Sequence, residues 1–116
     1  MTFEWDPAKS NANLTDRGFD FEFATQVFEG PTLEVEDRRQ DYGEVRVAAI
    51  GLAQGIALTV IYTDRKDEAG DLVRRIISAR RSSQREREAY RTAIQGSTQP
   101  RARGSGTRPA DDGETD

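Results

Sequence analysis

The sequence predicts one α+β domain in the order β-α-α-β-β-β-β-α, with helices packed on an antiparallel sheet. Three observations lead there. Two capped segments, the second with apolar residues at helical spacing, precede Gly30-Pro31. Four β-type runs then follow one another directly, joined by short polar turns. Ser83 with Glu86 opens a last amphipathic segment as a capping box. Strands in succession, rather than in alternation with helices, give an antiparallel sheet with helices segregated to one face.

Phe3-Glu4-Trp5 reads as a short strand. At Asp6-Pro7 the carboxylate can cap free amides and proline suits the first helical position, so a helix is expected from there to about Asp16, closed by Gly18. Asp20 caps a second helix in which Phe21, Ala24, Val27 and Phe28 share one face, and Gly30-Pro31 stops it. The two helices read as an αα-hairpin whose aromatics belong to the core. Strands are expected over residues 33–37, 44–52, 57–64 and about 72–81. Tyr42-Gly43, Gln54-Gly55 and the polar loop from Asp67 to Gly70 leave consecutive strands no room to pair other than antiparallel. In the final helix, Ala89, Tyr90, Ala93 and Ile94 form one apolar stripe. From Gly96 onward no large apolar residue occurs, so the chain divides into a domain over 1–95 and a disordered low-complexity tail over 96–116.

Composition excludes several chemistries. The 116 residues contain no cysteine and no histidine, which removes disulfides, thiol nucleophiles, the commonest metal ligand and the usual general base near neutral pH. Neither a metal nor a cofactor is expected. No apolar run approaches a membrane span, and the start lacks the basic and apolar regions of a signal peptide, so a cytoplasmic protein without membrane contact is expected. The net charge of −4 conceals a division. Residues 1–44 carry four basic groups against eleven acidic ones, whereas residues 45–95 carry ten against six.

Much of that basic excess lies in Arg74-Arg75-Ile76-Ile77-Ser78-Ala79-Arg80-Arg81. Ile76 and Ile77 can bury on either face of a strand, while the guanidinium groups offer permanently charged, bidentate donors suited to phosphate. A local basic patch can hold an anion on an acidic protein, because salt screens interactions beyond roughly 8 Å. The alternative is a solvated strand whose arginines pair with the chain's own carboxylates.

Six collinear pieces of sequence resemble the BrnT toxins of type II toxin–antitoxin systems. They are Phe3-Glu4-Trp5-Asp6-Pro7 with Lys9 and Asn13; Gly18, Phe21-Glu22, Ala24 and Val27-Phe28; Gly43-Glu44 with Arg46; Ile50-Gly51; Tyr62-Thr63 with Arg65; and Arg75 to Arg81 with Glu86 and Tyr90. The resemblance implies a small RelE-like ribonuclease that cleaves RNA and inhibits translation. It also implies a cognate BrnA-type antitoxin with a ribbon-helix-helix part, through which alone operator DNA would be bound. Two departures stand out: Arg17 occupies the place before the helix-closing glycine where the family usually has histidine, and the Lys66 to Gly70 hairpin is longer than usual.

Metal-free RNA cleavage needs a base for the 2′-hydroxyl, cations for the phosphorane and a proton for the leaving oxygen. Glu44, two residues from Arg46 and so on its strand face, is the candidate base. Arg46, Arg65 and Arg80 are the candidate transition-state cations, giving a catalytic set of Glu44, Arg46, Arg65 and Arg80. Arg17, Tyr62, Arg75, Ser78 and Arg81 are candidate RNA contacts, Tyr62 by stacking on a base or by protonating the leaving group. A non-catalytic homologue that serves as an antitoxin-binding co-repressor is the alternative.

Overall fold

The computed structural model describes residues 1–96, so all of the expected tail except Gly96 lies outside the described residues. The elements are β1 (Thr2–Trp5), α1 (Pro7–Arg17), α2 (Phe21–Ala24) running into a 3-10 turn (Thr25–Glu29), β2 (Leu33–Glu36), β3 (Val47–Ala53), β4 (Ile56–Lys66), β5 (Leu72–Arg81), and α3 (Gln84–Tyr90) running into a π turn (Arg91–Gln95). The helix boundaries follow their caps. Asp6 accepts from the Ala8 amide at 2.9 Å, and Gly18 closes α1 at φ +87°, donating to the Leu14 carbonyl. Asp20 caps α2 through the Phe23 amide, and Ser83 and Glu86 complete the capping box of α3.

The five strands form one mixed sheet in the order β1-β5-β4-β3-β2. From β2 to β5, sequence neighbours pair antiparallel as expected, but β1 lies parallel to β5, with Trp5 opposite Ile76. The expectation of a purely antiparallel sheet is thereby corrected. The helices between β1 and β2 carry the chain across the sheet, so β1 reaches the far edge and aligns with the last strand. β3 is shorter than expected at its start, because residues 37–46 leave the ladder and return with Asp37 N–H bonded to Arg46 O at 2.7 Å.

Helices also occupy both faces rather than one. On the first face, Phe21 and Ala24 of α2 and Val27 of the 3-10 turn form the main core with Phe19 and with Ala49, Ala53, Leu58, Val60, Tyr62, Ile76 and Ala79 of the sheet. Gly51 is glycine because a Cβ there would lie 3.0 Å from Val27 Cβ and 3.2 Å from Val27 O. On the second face, α3 is held at one end of the sheet: Glu86 accepts from Thr59 Oγ1 at 3.0 Å, and buried Tyr90 donates to the Pro31 carbonyl at 3.0 Å.

One irregularity decides which side chains share that second face. Ile61 pairs with Ser78 while Tyr62 pairs with Ile76, which leaves Ile77 as an extra residue in β5. The alternation is reset there. Arg74, opposite Asp64, belongs to the first face, whereas Arg75, Ser78 and Arg80 all fall on the second.

Candidate functional site

The second face is left open beside α3 and forms a groove of about 550 Å³. Its floor is apolar, made by Val35, Ala48, Ile50 and Ile61, and its rim carries four guanidinium groups, Arg17, Arg38, Arg39 and Arg80, with Ser78 among them. Three carboxylates, Glu36, Asp37 and Glu86, share the rim. Four fixed cations over a greasy floor suit an anionic ligand that also has a flat apolar part.

Each rim cation is anchored. Arg80 donates from Nη1 to Glu86 Oε1 at 2.7 Å and from Nη2 to Oε2 at 2.8 Å. The same carboxylate accepts from the Ser83 amide at 2.8 Å and from Thr59 Oγ1 at 3.0 Å. Arg80 above all, with those donors, draws the Glu86 carboxyl down to about 2. Glu86 is therefore an anchor and a poor proton acceptor. Arg39 forms a second bidentate pair, Nε and Nη2 each 2.9 Å from Asp37, and this guanidinium holds the Asp37 carboxyl below the usual range. Arg38 pairs with Glu36 at 3.0 Å. Arg39 and Arg80 lie near enough to repel, the charge of Arg39 working against the effect of Glu86 on Arg80.

Arg17 reaches the groove from the end of α1. Its Nη1 donates to the Ala79 carbonyl at 2.8 Å and to Asn13 Oδ1 at 3.2 Å, while Asn13 Nδ2 holds the Phe19 carbonyl at 2.9 Å. The contact is possible because β1 pairs with β5 only as far as Ile76, leaving the edge beyond free for a side chain.

The expected catalytic set is divided among three places. Arg80 stands in the groove. Glu44 and Arg46 form an ion pair at 3.0 Å just before β3, with Arg46 lying 3.9 Å over the Tyr42 ring. That pair adjoins the groove wall through the Asp37 to Arg46 backbone bond and through Tyr42 OH, 3.4 Å from Asp37 Oδ2. Arg65 lies at the other end of the sheet, bound with Arg75 to Glu4.

Of the expected RNA contacts, Arg17 and Ser78 line the groove and Arg75 does not. Arg81 faces the opposite side of the sheet, opposite Leu58, among Leu14, Phe19, Phe23 and Ile56. Tyr62 is 3% exposed. Its ring packs edge-on to Phe28 under the Arg74 guanidinium, and its hydroxyl donates to Glu34 Oε1 at 2.7 Å. Burial first, then Glu34, pushes the Tyr62 hydroxyl well above the usual tyrosine range. A ring so enclosed offers no face to a base, and a hydroxyl so held is no proton source for the groove.

Sequence reasoning missed Arg38, Arg39 and the anchoring role of Glu86. The Arg38-Arg39 doublet was visible, but its acidic surroundings hid it. Glu86 had a local explanation in its capping box, and only the approach of α3 to β5 adds the second role.

A family model described as ribonuclease toxin, BrnT, of type II toxin-antitoxin system matches residues 5–86, which runs from the end of β1 into the first turn of α3. No curated protein matches the chain.

Proposed function

The chain belongs to the BrnT family of ribonuclease toxins of type II toxin–antitoxin systems, and on that premise we propose that its arginine-rimmed groove binds single-stranded RNA and cleaves it without a metal. The observation that carries the reading is the convergence of Arg17, Arg38, Arg39 and Arg80 on one groove with an apolar floor. An unpaired base can lie on the floor while the adjacent phosphate meets the rim. A duplex, whose bases are stacked and paired, presents no such edge.

In this reading the 2′-hydroxyl attacks the neighbouring phosphorus, leaving a 2′,3′-cyclic phosphate and a free 5′-hydroxyl. Arg80, held rigid by Glu86, stabilises charge on the phosphorane, with Arg17 and Arg39 beside it. Glu44, paired with Arg46 beside the groove wall, accepts the 2′-hydroxyl proton, and water protonates the leaving oxygen. The toxin unit is the region 1–95 with a RelE-like fold, the tail 96–116 being dispensable. In the cell its action is on translation, and a BrnA-type antitoxin with a ribbon-helix-helix part neutralises it and carries the operator contact.

The reading as a non-catalytic co-repressor draws on Arg17, which is tied into the Asn13 and Ala79 bonds. A guanidinium does not titrate near neutral pH and cannot replace an imidazole in proton transfer. One experiment separates the two. The full chain, purified away from antitoxin, is incubated with labelled single-stranded RNA in EDTA, and its expression is induced in cells. Cleavage to cyclic-phosphate ends with growth arrest supports the ribonuclease. Intact RNA with normal growth, from soluble protein that still binds antitoxin, supports the co-repressor.

A further inference from the structure

We propose that the second face of the sheet carries an additional phosphate subsite, formed by Arg65 and Arg75 around Glu4, so that the substrate is a single-stranded segment of several nucleotides. The inference rests on the RNA reading of the groove and names the substrate that the whole face would take.

Arg65 and Arg75 share a face with Arg80. From β4, Arg65 reaches over β5 to Glu4 on β1, with Nη2 to Oε1 at 2.8 Å and Nε to Oε2 at 3.1 Å, which is possible only if both side chains stand on one side of the sheet. Arg75, opposite Glu4 in the register, approaches Oε2 at 3.5 Å. One carboxylate thus bonds both guanidinium groups, with Asp67 near enough to act on Arg65 through its charge, so neither arginine has a bonded carboxylate to itself. Both arginine side chains are about half exposed. Arg74, by contrast, has a side chain 12% exposed, a bidentate bond to Asp64 and contacts over Tyr62 and Phe28, and serves the core.

The spacing follows from β4. Thr59, beside Arg80 and Glu86, and Arg65 lie six residues apart on the same face of the strand, a separation of about 20 Å at 3.3 Å per residue. A dinucleotide cannot contact both ends. Between them stands Arg46, next to the Val47–Tyr62 pair, on a segment tied to β4 by Thr63 Oγ1 donating to Val45 O at 2.7 Å. Cations therefore mark the two ends and the middle of one lane, an arrangement suited to tracking a single-stranded backbone.

The test measures affinity of the full chain for 2′-O-methyl oligoribonucleotides, which cannot be cleaved, of two and eight residues across a KCl series. Four proteins are compared: the parent, an Arg65→Gln/Arg75→Gln double variant, Glu4→Gln and Arg80→Gln. Glu4 is held below the usual carboxylate range by Arg65 and then Arg75, so its replacement removes a full charge and should tighten the octamer. The double variant should weaken the octamer and lower its log–log salt slope by about 1.4, from two phosphate contacts at about 0.7 each. The ratio of octamer to dimer affinity should fall with it. Opposite signs for the two changes would not arise from a merely structural cluster. An octamer affinity and salt slope unchanged in the double variant, or weakened by Glu4→Gln, overturns the subsite. Loss on the double variant with none on Arg80→Gln removes the groove reading and leaves the subsite standing. No binding of either oligomer by the parent removes both.

Discussion

Glu86→Gln isolates the charge of the groove's principal anchor. Glutamine retains the shape and a carbonyl oxygen for the Ser83 amide and Thr59, and it is accepted in a capping box. What it loses is the ionic part of the bond from Arg80 Nη1 at 2.7 Å and, with an amide nitrogen in the place of Oε2, the bond from Nη2 at 2.8 Å. The fall of the Glu86 carboxyl from 4.5 to about 2 is equivalent to about 3 kcal/mol at 1.36 kcal/mol per pH unit. Solvent in the open groove screens part of this, and about 1–2 kcal/mol is expected at pH 7. For a domain of this size that is a melting temperature lower by roughly 5–15 °C. The sign with pH is fixed by the direction of the change. A carboxyl with a depressed folded-state value contributes stability above 4.5 and loses it as pH falls toward 2. Glu4 and Asp37 are also held low, but they act alike in parent and variant and cancel in the difference. The deficit of Glu86→Gln should therefore be full at pH 7 and much reduced at pH 3. Melts followed by circular dichroism at both values check it. An equal deficit at the two pH values, or none at pH 7, would refute the ionic anchoring of Arg80.

Three further outcomes are expected. Gly51→Ala should destabilise by about 1–3 kcal/mol in urea titration, because the new methyl meets Val27 Cβ at 3.0 Å and backbone at 3.2 Å; an unchanged midpoint would mean that the 3-10 turn does not press on β3. Arg80→Ala should abolish growth arrest and slow RNA cleavage at least 100-fold, about 3 kcal/mol of barrier, with secondary structure retained, while Arg101→Ala should do neither; if both behave like the parent, the groove is not the seat of toxicity. Removal of residues 96–116 should leave the melting temperature and antitoxin affinity nearly unchanged, since that stretch brings no large apolar side chain to the core. A drop of several degrees or a clear loss of affinity would move the domain boundary.

The helices and strands were legible in the sequence because their signals are local. Asp6-Pro7, Gly18, Asp20 and the Ser83–Glu86 pair are contacts within a turn or two, so the residues that make them lie together in the chain. The core face of α2 and its 3-10 turn was legible for the same reason, through the spacing of Phe21, Ala24 and Val27. The arginine-rich strand was legible as a cluster of charge, but not as a site. A period of two places Arg74 with Arg80 and Arg75 with Arg81. The extra Ile77 instead brings Arg75 and Arg80 to one face and sends Arg74 and Arg81 to the other. A bulge is chosen by the fit of a strand to its partner, which no property of β5 alone expresses. The parallel pairing of β1 at the far edge, the docking of α3 on the second face and the approach of Arg38 and Arg39 to Arg80 have the same origin. Each depends on groups distant in the chain meeting across the sheet, and that meeting is decided by the packing of the whole domain.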